Sequence, residues 1–181
     1  MSSVPEAVTS SSSTGRSRVF IYCSETAGKD ALTYFKKKDY VSCPLSDKPA
    51  YFWELINIVA ENGVLVILSH GDENGPLMVA GTSGKDMTKE EIQKFGEILK
   101  TKKIALYLLS CNTGSGSFFN NLKDTGATFV APLGYADVRE SSAGLSAYST
   151  NGKKDFGITY LGWNGNGIEP PSRASKPLVI P

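Results

Sequence analysis

Apolar positions along the chain fall into two rhythms. Val64-Leu65-Val66-Ile67-Leu68 and Ile104-Ala105-Leu106-Tyr107-Leu108-Leu109 are continuous apolar runs, the pattern of strands covered on both faces. Val19-Phe20-Ile21-Tyr22 is a shorter run of the same kind, so order is expected to begin near Arg18 with a strand. Residues 127–133 and 156–161 predict two more strands. Elsewhere the period lengthens. Phe52, Leu55, Ile56 and Val59 recur at i, i+3, i+4 and i+7, with Pro49 near the start and Gly63 just past the end, which predicts an amphipathic helix. Residues 30–37 predict a helix before it.

Local end signals add three further helices. Thr88-Lys89-Glu90-Glu91 has the form of a capping box, opening a helix that aligns Ile92, Phe95 and Leu99. Residues 117–124 predict a short helix carrying Phe118, Phe119 and Leu122 and closed by Gly126. Asp137-Val138-Arg139-Glu140 also reads as a capping box, for a helix running to about Tyr148. Strands alternating with helices predict an α/β layered fold with a mainly parallel sheet. The expected layout is a flexible Ser-rich tail at 1–16, one domain at 17–165 and a Pro-rich extended tail at 166–181.

Composition narrows the function classes. The 181 residues carry 19 Lys and Arg against 18 Asp and Glu, a net charge of +1, so no field is available to draw nucleic acid. One His cannot build a multi-His metal site, and three Cys form no CxxC pair. The low, odd cysteine count implies a reducing compartment. Neither a secretory h-region nor a run long enough to span a membrane is present, and a cytoplasmic location is expected.

In parallel α/β sheets chemistry collects beyond the carboxyl ends of the strands. The two most apolar runs end in His70-Gly71 and in Cys111-Asn112-Thr113-Gly114. If those strands are neighbours, about 4.8 Å apart, a thiol and an imidazole meet: a nucleophile and the base that moves its proton. Gly71, lacking a Cβ, lets a backbone N–H approach a reacting carbonyl, and the Cys111 N–H supplies a second oxyanion donor. The bland alternative is a hydrogen-bonded strand-end His and a cysteine packed as a small hydrophobe. Cys23 and Cys43 are expected to be structural, Cys43 in a loop. Gly114-Ser115-Gly116-Ser117 lacks the GK[ST] ending of a P-loop and reads as a turn.

These motifs resemble a known family. Val64–Asp72, ending in Ser69-His70-Gly71, is similar to the histidine strand of caspases. LLSCNTGSG around Cys111, MTKEEI at 87–92 and GATFVAPLGYADVRESSAGLSAY at 126–148 resemble the CHAT branch of the caspase-like (clan CD) cysteine peptidases. The resemblance implies a caspase–hemoglobinase-like three-layer sandwich, a mainly parallel sheet flanked by helices. It implies a cysteine endopeptidase working through a thioester acyl-enzyme, with Cys111 as nucleophile, His70 as general base and acid, and Gly71 and Cys111 as oxyanion donors. It implies no metal and no cofactor, a protein or peptide substrate, and an activating or substrate-presenting partner. Leu109-Ser110 stand where caspases carry Gln-Ala, so cleavage after Asp is not implied. Asp137 and Ser110 are the candidate substrate-binding residues. Asp137 would favour a basic residue or would simply cap the following helix with Glu140, while Arg139 would suit an acidic one. A catalytically silent caspase-like interaction module is the alternative function.

Overall fold

The computed structural model describes residues 15–81, 86–141, 144–152 and 157–181. In chain order the described elements are β1 (Arg16–Tyr22), α1 (Lys29–Lys37), β2 (Val41–Pro44), α2 (Pro49–Asn57), β3 (Val59–Leu68), β4 (Gly71–Asp72) and β5 (Gly75–Pro76). Then come α3 (Lys89–Thr101), β6 (Ala105–Leu108), α4 (Gly116–Asp124), β7 (Thr128–Pro132), β8 (Tyr135–Ser141), β9 (Gly144–Thr150) and β10 (Trp163–Asn166). Six strands form one sheet in the order β10-β7-β6-β3-β1-β2. All neighbours are parallel except β10, which runs antiparallel to β7. The expected α/β class, with a mainly parallel central sheet flanked by helices, is what the chain adopts.

The continuous apolar runs make both faces of this sheet hydrophobic, because successive side chains point to opposite sides. Val19 and Ile21 of β1, Leu65 and Ile67 of β3, and Leu106 and Leu108 of β6 join a cluster with Phe52 of α2, Phe95 and Leu99 of α3, and Phe118 of α4. The alternate residues Phe20, Val66, Leu68 and Tyr107 point the other way, to Phe35 of α1, Ala147 of β9, and Leu178 and Ile180 near the end of the chain. The capping box forms as the sequence predicts: Thr88 Oγ1 accepts from the Glu91 N–H at 3.1 Å, and the Thr88 N–H donates to Glu91 Oε1 at 3.0 Å.

Four local expectations are corrected. Where the sequence predicts a helix over 137–148, Tyr135–Ser141 and Gly144–Thr150 pair as the antiparallel strands β8 and β9, with Asp137 opposite Tyr148 and Val138 opposite Ala147. Their period is 2: Ala136 and Val138 pack against the sheet, and the intervening Asp137 carboxylate binds Arg139, so it caps nothing. Val59 opens β3 instead of extending the preceding helix, which stops at Asn57. Cys43 lies in strand β2, buried. The final strand is Trp163–Asn166; of the run expected at 156–161, Phe156 lies outside the described residues and Tyr160 makes an isolated bridge to Thr150.

Most of the Ser-rich start, residues 1–14, lies outside the described residues. The segment after β10 packs back on the hairpin: the Leu178 N–H donates to the Ala147 carbonyl at 2.7 Å, and Tyr40 donates its hydroxyl to the Pro181 carbonyl oxygen at 2.6 Å. Among the described residues no helix is long and apolar enough to cross a membrane.

Candidate functional site

The strand order creates a crevice. From β1 the chain moves outward through α1 to β2, then returns through α2 to β3 on the other side of β1. Because α1, which follows β1, and α3, which follows β3, cover opposite faces, the loops leaving β1 and β3 diverge, and a ligand cleft opens at such a switch point. A cleft of about 350 Å³ is found here, lined by Thr26 and Lys29 after β1, Ser69 and His70 after β3, Cys111 after β6, and Asp137 of the hairpin.

The two strands carrying the candidate dyad are adjacent and parallel, with Ile67 beside Leu108. That register continues past the strand ends, where Ser69 Oγ and Ser110 Oγ share a hydrogen bond at 3.1 Å, so His70 and Cys111 leave the sheet side by side. The Cys111 turn is tied down from several directions. Asn112 takes the left-handed conformation (φ 59°) that Asn tolerates better than most residues, and its N–H donates to the Gly134 carbonyl at 2.8 Å. Thr113 Oγ1 donates to the Ser110 carbonyl at 2.7 Å, and Asn164 Nδ2 donates to the Gly114 carbonyl at 2.8 Å. Gly71 lies where any Cβ would meet Ser110 Cβ at 2.8 Å, so the close approach of the two turns requires glycine there.

Electrostatically the thiol is a reluctant acid. Burial pushes the Cys111 thiol up from its ordinary value, opposed by hydrogen bonds from the Ala136 and Cys111 backbone. His70 presents an Nε2 sealed from solvent that has no hydrogen-bond partner. The nearest carboxylate, Glu25 Oε2, stands 3.9 Å away, beyond hydrogen-bond range. A ring nitrogen of His70, the Cys23 thiol and a Glu25 carboxylate oxygen all lie within 4.8 Å of one another.

The substrate-binding candidates behave differently from one another. Asp137 does line the cleft, but Arg139 binds its Oδ2 through Nε at 2.8 Å and Nη2 at 2.6 Å. That bond is the main cause pushing the Arg139 guanidinium pKa up. Asp137 and Arg139, read from the sequence as alternatives, therefore neutralise each other. Ser110 is fully buried and bonded to Ser69; its place is in setting the distance between the strand ends. In the sequence Cys23 reads as structural, and Glu25 is not singled out. The rule that found His70 and Cys111 also covers the end of β1, where Cys23 and Glu25 follow within three residues.

No family model matches the chain, and no curated protein does. Solved structures that match include the aspartate aminotransferase of Trypanosoma cruzi at 15% identity and a TM-score of 0.42, covering 64% of this chain and 31% of that one. The cytoplasmic aspartate aminotransferase of Giardia lamblia matches at 15% and 0.41, covering 64% and 30%. An aromatic-amino-acid aminotransferase of Burkholderia pseudomallei, covalently bound to pyridoxal phosphate, matches at 11% and 0.40 with the same coverage, 64% and 30%. The chain thus spans about a third of the length of these structures, and likeness this slight carries no argument for their activity here. The family expectation is nevertheless corrected: no family model of any kind matches, the solved structures named are aminotransferases and not caspase-like or CHAT peptidases, and the segment likened to the family's acidic residue and helix holds the antiparallel strands β8 and β9. The cysteine endopeptidase implied by the resemblance is withdrawn, as is the silent caspase-like module.

Proposed function

We propose that the crevice beside β3 is a covalent small-ligand site, in which Cys111 supplies the nucleophile and His70 moves its proton. The observation that carries this reading is the shared register of β3 and β6, which delivers both side chains to one cleft of about 350 Å³. The ligand class is a small molecule with an electrophilic carbonyl carbon. As the sulfur–carbon bond forms, the thiol proton passes to the His70 imidazole and from there to the departing group, leaving a thioester on Cys111. The N–H groups of Gly71 and Cys111 are the proposed donors to the carbonyl oxygen as it becomes negative. Burial holds the resting thiol protonated, so the reaction depends on proton transfer at the moment of attack rather than on a standing ion pair. A reducing compartment suits three unpaired cysteines.

The test is alkylation by iodoacetamide in the presence of a chelator, followed residue by residue by mass spectrometry. Cys111 should react well ahead of the buried Cys23 and Cys43, and His70→Ala should slow it roughly 100-fold, the lower end of a general-base contribution. Equal labelling of the three cysteines, or a His70→Ala rate equal to wild type, refutes the proposal.

A further inference from the structure

We infer that Cys23, Glu25 and His70 form a binding site for a divalent transition metal of the zinc class. The three donor atoms, a thiol sulfur, a carboxylate oxygen and a ring nitrogen, lie within 4.8 Å of one another. Tetrahedral zinc with ordinary bond lengths sets such donors about 3.4–3.6 Å apart. The 3.9 Å between Glu25 Oε2 and His70 Nε2 is close to that, and Glu25, whose side chain is 58% exposed, is free to close the difference. Mixed sulfur, nitrogen and oxygen donors select zinc, cobalt or nickel over magnesium and calcium, which take oxygen alone. Three protein donors leave the fourth position for water or a ligand.

Two further observations point to an ion. The His70 Nε2 is hidden from solvent without a hydrogen-bond partner, an arrangement that costs free energy unless something occupies the lone pair or takes the proton. The loop supplying the other donors is bonded to β3 and closed on itself. The Cys23 N–H donates to the Leu68 carbonyl at 2.9 Å, and the Thr26 and Ala27 N–H groups both donate to the Cys23 carbonyl at 3.0 Å. Thr26 Oγ1 also donates to the Cys23 carbonyl at 3.0 Å. Outer contacts of this kind preorganise metal ligands. Binding replaces the Cys23 thiol proton with the metal, and that proton leaves to solvent. A metal-bound His70 nitrogen has no lone pair to offer Cys111, so the metal acts as an inhibitor of the thiol chemistry; this consequence, unlike the site itself, rests on the function proposed above.

The experiment is a titration of the reduced, chelator-treated full chain with Co²⁺, read by the near-ultraviolet charge-transfer band of a thiolate–cobalt bond and competed with Zn²⁺. One equivalent should produce the band. Cys23→Ser should abolish it, Glu25→Gln and His70→Ala should weaken binding 10-fold or more, and Cys111→Ser and Cys43→Ser should leave it unchanged. Circular dichroism checks that each variant is folded, and exposed Glu25 provides a variant with little structural risk. Absence of the band in the wild type, its survival in Cys23→Ser, or its loss in Cys111→Ser overturns the inference. Because the band does not report on alkylation of Cys111, the metal site and the covalent site stand or fall separately; addition of Zn²⁺ to the alkylation assay then tests their coupling.

Discussion

Replacing Gly71 with alanine probes the contact on which the candidate site depends. The new methyl carbon would lie 2.8 Å from Ser110 Cβ, 3.1 Å from Thr113 Cγ2 and 3.2 Å from the Cys111 carbonyl oxygen. Carbon atoms pack at about 3.5–4.0 Å, so the ends of β3 and β6 must separate by roughly 0.7–1.2 Å. Ser110 is fully buried and its Cβ is not the free end of a flexible chain, so the shift falls on the backbone. Overpacking of this kind costs about 1–3 kcal/mol. The Ser69–Ser110 hydrogen bond, 3.1 Å at rest, breaks with it and adds about 1 kcal/mol. The expected loss is therefore about 2–4 kcal/mol, a fall in Tm of roughly 4–16 °C for a domain of this size. Urea unfolding followed by tryptophan fluorescence measures it, in the wild type and in a Ser110→Gly background that removes the worst clash. The cost of Gly71→Ala should drop by about 1 kcal/mol or more in that background. A cost below about 0.5 kcal/mol, or the same cost in both backgrounds, would falsify the steric argument.

Other consequences follow from single contacts. Burial raises Tyr40 from 10.0 to about 12, so above pH 10 the unfolded chain loses this proton before the folded one does. Its contribution, intact below pH 10, should fall away between pH 10 and 12 by about 2–3 kcal/mol; urea unfolding across that range should show Tyr40→Phe losing less stability than wild type. Thr88→Ala removes the capping-box acceptor of α3 and should lower stability by about 1 kcal/mol in the same assay. Arg139→Ala breaks the Asp137 pair, but both side chains are 34% exposed, so solvent screening should hold the change in unfolding free energy under about 1 kcal/mol. In His70→Ala, where no imidazole assists, alkylation of Cys111 should show a pH midpoint above the ordinary thiol value, because burial favours the protonated form.

The fold was readable where burial dominates and misleading where it does not. Residues 64–68 and 104–109 are apolar at every position because both sheet faces are covered, and no alternative element accommodates them. Residues 137–148 satisfy two grammars at once. Asp137 and Glu140 have the spacing of a helix start, whereas Ala136, Val138, Leu145 and Ala147 alternate as a strand pair. Local helix-end chemistry is worth about 1 kcal/mol, and packing Ala136, Val138, Leu145 and Ala147 against the sheet outweighs it. Arg139 decides the remainder locally: two residues on in an extended chain it lies on the same face as Asp137 and takes the carboxylate that a cap needs.

Site residues were legible to the extent that their strands announced themselves. His70 and Cys111 follow the two strongest runs, but nothing in those runs states that β1 flanks β3 on the opposite side from β6. That neighbour relation comes from the reversal of direction after β2, itself set by which sheet face α1 and α2 cover. Its chemical consequence is specific. The single imidazole stands at the end of the middle of three strands, with the Cys23 thiol from β1 on one side and Cys111 from β6 on the other. One imidazole nitrogen cannot accept a proton and hold a metal at the same time. The composition that left one histidine for the whole chain therefore makes the two proposed uses of the cleft mutually exclusive at that nitrogen, and any ion held with Cys23 and Glu25 would compete for the base proposed for Cys111.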